Sequence, residues 1–384
     1  MNYIYFDLLC AQPFGGIKFH GGGEYTKAVF KQLSELIGSD SYLLTVFYNF
    51  DLYLDDWILE IVKEKGVVAV DVKSYHEIAS HLNNLDSYDN ATFYTGLVNQ
   101  YNNIEITDKV RTIGTCHGLR QLEKDFDILQ YFYVNSLKDV IRVLYYHLNR
   151  NRLYKQSYEL YKNCLSKFQN IITVSNHSQY SIKSTFGDIF REKGIRTLYT
   201  PSKIYNDSPV AASDENYIMM VSADRWIKNS YRGVLALDAL YSKGLMLDMK
   251  TRVYGNLPRP IKKKIKNPEL FEFYEYVSSY ELEKAYSQCS IFFYPTLNEG
   301  FGMPPLEAQK YGKTCVISAV ASLTEIYGDS VYYCNPYDVQ EMSTRLLEAY
   351  SVRITTEKVL DNVKRISNKQ DIDLVNVANF ILGY

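Results

Sequence analysis

The sequence lacks several patterns that would assign it at once to a functional class. Its six cysteines form no Cys-x-x-Cys pair and show no zinc-type spacing, so a common zinc site or redox motif is not expected. No apolar run approaches about 18 residues, so we expect no membrane-spanning helix. Lys and Arg number 42 against 44 Asp and Glu. A dedicated nucleic-acid-binding protein would carry a basic surplus, so we expect no nucleic acid as a partner.

The N-terminal residues also lack the features of a secretory signal. They contain no basic segment, and Asp7 interrupts the first apolar run. Cys10, Cys116 and Cys315 lie in or beside apolar, strand-like runs, where a reduced cysteine acts as a small hydrophobic residue. We therefore expect a cytoplasmic protein.

The residues that are present are typical of a globular protein of several domains. The chain has 384 residues, enough for two or three domains. With 46% hydrophobic and 22% charged residues, wholesale disorder is excluded. Tyrosine is in excess, with 36 residues spread along the whole chain. Tyrosine-rich grooves suit sugar stacking, but codon bias is the better explanation of so even a spread.

Strand and helix patterns alternate along the chain in two series. The strand-like runs lie at 2–9, 42–48, 67–70, 91–94, 110–116, 171–174, 217–221, 250–254, 270–274, 291–294 and 314–318. The main helix-like segments lie at about 24–37, 57–65, 137–168, 176–186, 231–243, 280–289, 304–311, 339–350 and 371–382. Such alternation predicts parallel sheets with helices on both faces.

A break in this alternation at 200–216 divides the chain. The segment contains Pro201, Pro209 and a polar run, and we interpret it as an interdomain linker. The prediction is an α/β protein of two doubly wound domains, at 1–205 and 206–366. A last helix, at about 367–384, is a candidate to pack back on the first domain.

The sharpest local signal is the loop at 298–308, which reads Asn-Glu-Gly-Phe-Gly-Met-Pro-Pro-Leu-Glu-Ala. A strand precedes it, and Pro304 with Pro305 suits the start of a helix. Ligands of parallel sheets bind at the carboxyl ends of strands, and a helix start suits a phosphate. The carboxylates of Glu299 and Glu307 could accept hydrogen bonds from vicinal hydroxyls of a ribose or hexose. The alternative is an ordinary strand–turn–helix with two surface glutamates.

This segment resembles the signature of retaining family-4 glycosyltransferases of the GT-B fold. The resemblance rests on NEGFGMPPLEA, on KYGKTCVIS after it, on Leu323-Thr-Glu-Ile326, and on two glutamates separated by seven residues. It covers 217–336 well and the first domain loosely, through a glycine loop, His117 and Val174-Ser175. It implies two Rossmann-like domains that face a cleft, and a nucleotide-sugar donor.

The resemblance implies roles for residues of the second domain. Glu307 would bind the ribose hydroxyls, and Glu299 would face the donor sugar. The donor-binding residues of the loop would be Asn298, Gly300, Phe301, Gly302 and Met303. Arg225 and Lys228 would neutralise the diphosphate, although the usual glycine-arginine-leucine is replaced here by Ser-Ala-Asp-Arg-Trp. A solvated strand-to-helix loop is the alternative for Arg225 and Lys228.

The resemblance extends to three residues of the first domain. Gly22 and Gly23 match the family's glycine loop, which lies against the diphosphate and the acceptor. An earlier pair, Gly15-Gly16, is the other candidate, and a plain turn is nearly as good an explanation of either cluster. His117 matches a histidine near the donor sugar, although a lone histidine is usually structural.

No metal and no cofactor other than the donor is expected. The second domain contains no histidine. The two Asp-x-Asp triplets, Asp125-Phe-Asp127 and Asp371-Ile-Asp373, do not follow a buried strand, as a metal-binding triplet would. We interpret them as carboxylates on helix surfaces.

A basic and aromatic segment at 137–168 suggests a further partner. It holds two acidic residues and seven basic ones, which are Lys138, Arg142, Arg150, Arg152, Lys155, Lys162 and Lys167. With its tyrosines it could lie peripherally on the anionic inner face of the cytoplasmic membrane. A core helix with a solvated basic side is the alternative.

These signals together predict a hexosyltransferase that retains anomeric configuration. It would move a hexose or deoxyhexose to a glycan or lipid-linked acceptor of a surface polysaccharide such as lipopolysaccharide. The Pro304-Pro305 variant of the motif is similar to that of mannosyl- and rhamnosyltransferases. A nucleotide-sugar 2-epimerase and a non-catalytic sugar-nucleotide-binding partner stay open. A dehydrogenase is disfavoured because no clean G-x-G-x-x-G appears.

Overall fold

The computed structural model describes residues 2–13, 20–37, 41–85, 90–124, 126–134, 136–187, 193–202 and 211–384. These residues form two compact units. The first unit comprises Met1–Leu119, Lys155–Tyr205 and Ser367–Tyr384, and the second comprises Arg120–Tyr154 and Asn206–Ile366. Residues 120–154 thus group with the second unit, whereas the sequence suggested a first domain that is continuous over 1–205.

Strands and helices alternate within both units. The described strands are β1 (Asn2–Asp7), β2 (Tyr42–Tyr48), β3 (Val68–Asp71), β4 (Ala91–Thr95), β5 (Arg111–Cys116), β6 (Asn170–Thr173), β7 (Gly194–Thr197), β8 (Tyr217–Met220), β9 (Lys250–Tyr254), β10 (Phe271–Tyr274), β11 (Ile291–Tyr294), β12 (Thr314–Ser318) and β13 (Tyr332–Cys334). The described α-helices are α1 (Gly21–Leu36), α2 (Asp56–Glu64), α3 (Tyr75–Asn83), α4 (Arg120–Glu123), α5 (Leu137–Leu148), α6 (Arg150–Ser166), α7 (Asn176–Phe186), α8 (Ser230–Ser242), α9 (Arg259–Lys262), α10 (Ser279–Gln288), α11 (Met303–Gln309), α12 (Leu323–Tyr327), α13 (Val339–Ser351) and α14 (Thr356–Leu382).

In the described part of the first unit, seven parallel strands form one sheet in the order β3-β2-β1-β4-β5-β6-β7. The register places Asp7, at the carboxyl end of β1, opposite Thr95 of β4. The parallel α/β sheet that the sequence predicted is confirmed. The edge strand β7 was not predicted, because its four residues alternate between exposed and half-buried and form no apolar run.

In the described part of the second unit, six parallel strands form a sheet in the order β10-β9-β8-β11-β12-β13. The central strands β8 and β11 are buried throughout. They are paired through Ile218 and Ile291. The chain continues from β8 to β9 on one side and reaches β11 on the other, so the strand order reverses between β8 and β11. Ligands of open α/β sheets bind at such a reversal, beyond the carboxyl ends of the strands.

Packing contacts explain why residues 120–154 belong to the second unit. Phe132 is buried in the hydrophobic core of that unit and stacks on Tyr231, with ring centroids 4.4 Å apart. The Tyr133 hydroxyl accepts a hydrogen bond from the Tyr231 backbone N–H at 2.8 Å. The Asp127 carboxylate pairs with Arg232 at 2.6 Å. These contacts join residues about a hundred positions apart, so no local pattern predicts them.

One of the predicted helical segments is confirmed as two joined helices, and another is longer than predicted. The segment predicted at 137–168 as one long helix or two joined helices is two helices, α5 and α6, separated at Asn149. The last helix, α14, has 27 residues and begins well before the predicted segment at 371–382. None of the described helices combines the length and hydrophobicity that a membrane-spanning helix needs.

Candidate active site

The buried carboxylate of Glu299 lies at the centre of the candidate site. Glu299 follows β11, in the loop that precedes α11. Its Oε1 accepts three hydrogen bonds, from Lys228 Nζ at 2.6 Å and from the hydroxyls of Tyr294 and Thr296 at 2.8 Å each. The Lys228 and Glu299 side chains are only 7% and 9% exposed. The structure therefore brings together two residues that the sequence analysis selected from separate segments of the chain.

Neighbouring cations keep the carboxyl group of Glu299 ionised. Burial alone would raise the pKa of Glu299, but Lys228 and, more weakly, Arg120 outweigh it, so that the pKa lies below its usual value. Burial lowers the pKa of Lys228, and Glu299 opposes that shift. Glu299 is thus held as a carboxylate and is suited to accept hydrogen bonds rather than to donate a proton.

Lys228 reaches the carboxylate from a short 3₁₀ helix, Trp226–Lys228, that follows β8. The next residue, Asn229, has a left-handed backbone with φ of 58° and precedes α8. Its side-chain amide donates hydrogen bonds to the carbonyl oxygens of Pro295, at 2.9 Å, and Pro336, at 2.7 Å. Asn229 therefore ties the Lys228 turn to the segment that follows β11, a role that the sequence analysis missed.

The backbone of the glycine-containing loop is fixed by residues of the following α12 region. Gly302 has a φ of +88°, and a Cβ placed there would lie 2.3 Å from the Leu323 side chain. The Ser322 hydroxyl lies 3.1 Å from the Glu299 carbonyl oxygen and 3.0 Å from that of Phe301. The Tyr327 hydroxyl donates to the Gly302 carbonyl oxygen. Gly300, Phe301, Gly302 and Met303 thus lie in one well-supported stretch.

Glu307 lies in α11 and is also buried, with 3% of the residue exposed. Its Oε2 lies 3.3 Å from Lys310 Nζ. Asn298 is buried as well, and its amide donates to Glu123 Oε2 of α4 at 2.7 Å. The two glutamates are therefore not surface residues, which removes the alternative reading of this loop as an ordinary turn with two solvated carboxylates.

Arg225 is exposed and lies beside a cavity of about 260 Å³. The cavity walls include Arg120, Asp224 and Trp226. Arg120 begins α4 and carries positive charge close enough to affect both Lys228 and Glu299. The sequence analysis did not select Arg120, because nothing in its local sequence relates it to a loop more than a hundred residues later.

The first unit holds the other three predicted residues. His117 follows β5, and its Nε2 lies 3.0 Å from the Gly96 carbonyl oxygen, so this nitrogen carries the proton. Its ring meets that of Tyr25 edge to face, with centroids 5.0 Å apart. Burial lowers the pKa of His117 to about 4, so the imidazole is neutral at pH 7.

Gly22 and Gly23 are not part of a loop, because α1 begins at Gly21. His20 precedes the helix, and its Nδ1 accepts a hydrogen bond from the Gly23 N–H at 3.1 Å. This cap starts the helix three residues before the predicted opening at Glu24. The alternative pair, Gly15 and Gly16, lies outside the described residues.

One buried carboxyl group of the first unit, that of Asp7, was not selected by the sequence analysis as a candidate site residue. Asp7 ends β1, and its Oδ2 accepts hydrogen bonds from the hydroxyls of Thr95 at 2.7 Å and Tyr101 at 2.9 Å. Its Oδ1 lies 3.3 Å from the Cys10 backbone nitrogen, which donates to it. Burial raises the pKa of Asp7 to about 6 although these neutral donors oppose the shift.

Two predicted surface carboxylates are buried instead. Asp127 pairs with Arg232, and Asp373 accepts a hydrogen bond from the Tyr199 backbone N–H at 2.8 Å. The interpretation of these two as helix-surface residues is wrong, because each carboxylate is buried and contacts a polar group in the interior. Asp125 lies outside the described residues. The described part of the chain holds no cluster of three or more His, Cys, Asp or Glu side chains placed to bind a metal ion, and metal independence stays a prediction.

Residues 202–369, which span Arg225 to Glu307, match the family described as Glycosyl transferases group 1. The chain carries a group 1 glycosyltransferase domain. One relative is the O-antigen chain mannosyltransferase RfbU of Salmonella typhimurium, 24% identical over 54% of this chain and 57% of RfbU. Another is the serotype-specific mannosyltransferase WbdA of Escherichia coli, 39% identical over 70 residues, which are 18% of this chain and only 9% of WbdA.

Solved structures of glycosyltransferases share the fold over nearly the whole length. Sucrose-phosphate synthase from Thermosynechococcus elongatus has a TM-score of 0.64 at 13% identity, over 97% of both chains. WaaG, a glycosyltransferase involved in lipopolysaccharide biosynthesis, has a TM-score of 0.61 at 14% identity, over 99% of this chain and all of WaaG. At such identities the likeness establishes the fold, and the predicted GT-B fold is confirmed.

Proposed function

We propose that this protein transfers a hexose or deoxyhexose from a nucleotide-sugar to a hydroxyl group, with retention of anomeric configuration. The observation that carries the proposal is the buried ion pair between Lys228, which follows β8, and Glu299, in the loop beyond β11. It lies where the strand order of the sheet reverses, within the part of the chain that matches the glycosyltransferase group. A carboxylate fixed at such a position can accept hydrogen bonds from sugar hydroxyls, while nearby cations face a diphosphate.

The geometry supports a reaction that depends on positioning and charge rather than on a strong base. The bond between the anomeric carbon and a phosphate oxygen breaks, and the acceptor oxygen bonds to that carbon on the same face. The acceptor proton passes to the departing phosphate oxygen. Arg225 and Lys228 supply positive charge as the diphosphate leaves, and Glu299 orients the donor sugar. His117, neutral at pH 7, would meet a sugar hydroxyl without adding charge.

The remaining donor contacts follow from the same loop. Glu307 would accept hydrogen bonds from the ribose hydroxyls. The fixed backbone of Gly300, Phe301, Gly302 and Met303 would approach the sugar and the pyrophosphate. Asn298 would hold the loop against α4. Gly22 and Gly23 would lie against the diphosphate and the acceptor. No cofactor or metal is needed in this scheme.

We propose mannose as the first sugar to test and rhamnose as the second. RfbU and WbdA are both mannosyltransferases by name, and RfbU acts on the O-antigen chain. The acceptor would then be a glycan, free or linked to a lipid, in the synthesis of a surface polysaccharide. Both relatives are matched over less than two thirds of their length, so donor and acceptor require direct measurement.

The surface of the second unit supports action at the membrane. Five apolar residues of α5 lie on one helical face and point into solvent. Their exposed fractions are 77% for Leu137, 59% for Ile141, 47% for Leu144, 45% for Tyr145 and 82% for Leu148. Within α5, which is described throughout, Val143 is the buried residue. The alternative of a core helix therefore does not hold for α5.

Basic residues flank this apolar face. Lys138, Arg142, Arg150 and Arg152 are all exposed. An exposed apolar row beside basic side chains is typical of helices that lie in the headgroup region of an anionic membrane. We propose that α5 and the start of α6 dock the protein peripherally on the inner face of the cytoplasmic membrane, where a lipid-linked acceptor is available.

The first experiment is a thermal-shift screen across UDP, GDP, ADP and dTDP. The matching nucleotide should raise the melting temperature, because it binds only the native state. Turnover of the corresponding nucleotide-sugar should then require an acceptor and survive EDTA, and the product anomer can be read by NMR. Absence of a shift with all four nucleotides, or transfer that needs added Mn²⁺ or Mg²⁺, would contradict the proposal.

A further inference from the structure

Aromatic side chains are exposed in the loop that follows β2 of the first unit. This segment, residues 49–55, is called the β2 loop below. Phe50 is 52% exposed and Tyr53 is 43% exposed. The Phe50 ring meets that of the half-buried Tyr48, with centroids 4.6 Å apart. Grouped apolar side chains on a surface, unlike single ones, mark interaction sites.

The β2 loop is held in place by side chains of the neighbouring strand segments. Gln12, which follows β1, is 1% exposed. Its amide nitrogen donates to the carbonyl oxygens of Asn49, at 2.9 Å, and Leu52, at 3.1 Å. At the end of β3, Asp71 Oδ1 accepts a hydrogen bond from the Phe50 N–H at 2.9 Å. The exposed rings are therefore positioned in advance, which lowers the entropy cost of binding a ligand.

The β2 loop lies at the ligand-binding edge of the first sheet. The described strands of this sheet are parallel, so the loop after β2 lies at the same edge as His117 after β5. Ligands of open α/β sheets bind beyond this edge. Because β1 and β4 lie between β2 and β5, three strand spacings of about 4.8 Å separate the two by about 14 Å. A sugar beside His117 would not reach the loop, whereas a residue farther along the same glycan would.

Direct contacts join the β2 loop to the start of α1. Lys27 Nζ lies 2.8 Å from Oε1 of Glu24, in the first turn of α1, and 2.6 Å from Oδ2 of Asp55. Asp55 Oδ1 accepts a hydrogen bond from the Tyr53 hydroxyl at 3.2 Å. Glu24 directly follows Gly23, which we assign to the acceptor side. The loop is therefore connected to the proposed acceptor region within one unit.

The charges around the β2 loop favour a neutral ligand. Each of two lysines there pairs with two carboxylates, so these ion-paired groups carry a net charge of −2. The pairs are Lys27 with Glu24 and Asp55, and Lys73 with Asp51 and Asp71. Such a surface repels a phosphate or an anionic lipid, whereas neutral sugar hydroxyls can donate hydrogen bonds to its carboxylates.

We propose that the β2 loop binds a sugar residue of the acceptor glycan, at a distance from the residue that receives the transferred sugar. One face of a pyranose consists largely of C–H groups and packs on an aromatic ring such as that of Phe50 or Tyr53, while its hydroxyls meet carboxylates. Asp51, whose side chain is 79% exposed, supplies one beside the rings. This inference rests on the proposed function and narrows its acceptor to an existing oligosaccharide chain.

The test measures transfer to mannose and to manno-oligosaccharides of increasing length, from the mannose ester of the nucleotide that the thermal-shift screen finds. The wild-type KM for the acceptor should fall once the chain reaches the β2 loop. Phe50→Ser should raise the KM for the longer acceptors about three- to tenfold, as expected for one aromatic contact. The KM values for the donor and for the shortest acceptor turned over should not change.

Two control variants separate stacking from a general effect on the surface. Phe50→Tyr keeps an aromatic ring and should keep the wild-type KM values. Tyr180→Ser removes an aromatic side chain of α7 that is 71% exposed in the same unit, and it should also leave them unchanged.

A wild-type KM that is independent of acceptor length, or an equal effect of Phe50→Ser on short and long acceptors, would overturn the inference and leave the proposed transfer intact. Unchanged KM values in Phe50→Ser, with reduced co-sedimentation with anionic liposomes or a smaller mass by light scattering, would assign the loop to a lipid or a second copy instead. Nucleotide binding without transfer to any of these acceptors would overturn the inference and leave donor binding in place. Failure to bind any of the four nucleotides would reject both.

Discussion

Asp7 in the first unit and Glu299 in the second are buried carboxyl groups that end or follow a central strand, and each accepts several hydrogen bonds. Their pKa values nevertheless move in opposite directions. Asp7 receives its hydrogen bonds from two hydroxyls and a backbone N–H, and burial raises its pKa to about 6. Glu299 has an ammonium group 2.6 Å away, and its pKa lies below the usual value.

The comparison shows that neutral donors do not offset the desolvation of a buried carboxylate, whereas a cation in contact does. At Glu299 the second unit therefore holds a charged carboxylate in its interior, beside Lys228. In the first unit, Asp7 and His117 are both shifted toward their neutral forms.

The largest effect should come from removing the cation beside Glu299. Lys228→Met leaves a buried carboxylate without its ammonium partner, and such changes cost about 3–5 kcal/mol of stability. Adding Glu299→Gln should restore most of that loss while donor turnover stays abolished. Urea unfolding and turnover assays check both parts. Equal stability of the single and double variants would show that the ion pair is not what keeps Glu299 charged.

The second effect concerns pH and has opposite signs in the two units. The folded-state pKa of Asp7 is raised from 3.8 to about 6, so its contribution to stability is present below about pH 4 and is lost as pH rises through 6. The full difference corresponds to about 3 kcal/mol. The depressed pKa of Glu299 predicts the reverse, a contribution that is lost as pH falls.

As pH rises from 4 to 7, Asp7→Asn should therefore become more stable relative to the wild type. Urea unfolding at several pH values measures this gain, and Asp361→Asn on the exposed side of α14 serves as the control. A constant difference between Asp7→Asn and the wild type across this range would mean that Asp7 ionises normally in the folded chain.

The third effect should be on binding. Glu307→Ala removes a buried carboxylate that we assign to the ribose, and loss of hydrogen bonds to a charged acceptor costs about 1.5–3 kcal/mol. Nucleotide affinity should fall about ten- to hundredfold. The sharper measurement uses a 2′-deoxynucleotide, which the wild type should bind less tightly than the ribonucleotide. Glu307→Ala should bind the two nearly equally, and a preserved preference for ribose would assign Glu307 a structural role.

The position of the candidate site could be predicted from sequence because its signals are local. The apolar run of β11, two glycines and two prolines define a strand, a loop and a helix start within twenty residues. The contacts that complete the site are not local. Tyr294 reads as one more apolar residue of a buried strand, and its hydroxyl has a role only because Lys228, 66 residues earlier, lies beside it.

The predictions that were wrong also depend on contacts between residues far apart in the chain. Residues 120–154 were assigned to the first domain because chain continuity was the available guide, whereas the packing of Phe132 on Tyr231 decides the matter. Asp373 was interpreted as a surface residue because a helical carboxylate usually is one. Its role at the Tyr199 N–H follows from a contact across 174 residues. Sequence periodicity predicts elements and their faces, but it does not reveal which faces meet.

The smallest expected effect concerns the surface of the second unit, where exposed charge accompanies the exposed apolar face of α5. Near an anionic membrane each basic side chain contributes about 1 kcal/mol. Arg152→Gln should therefore lower partitioning onto anionic liposomes about fivefold at low salt. Because the attraction decays over the Debye length, the difference from the wild type should shrink as salt is raised.

Leu148→Ser tests the apolar part of the same surface. It should weaken partitioning at every salt concentration, because burial of an apolar side chain is not screened. Arg259→Gln and Leu247→Ser remove an exposed charge and an exposed apolar side chain elsewhere in the second unit and should leave partitioning unchanged. Co-sedimentation with liposomes measures all four variants. If the controls reduce partitioning as much as the α5–α6 variants do, the attraction is a general property of the surface. Transfer to a soluble acceptor should be unaffected throughout, because none of these residues lies in the donor site.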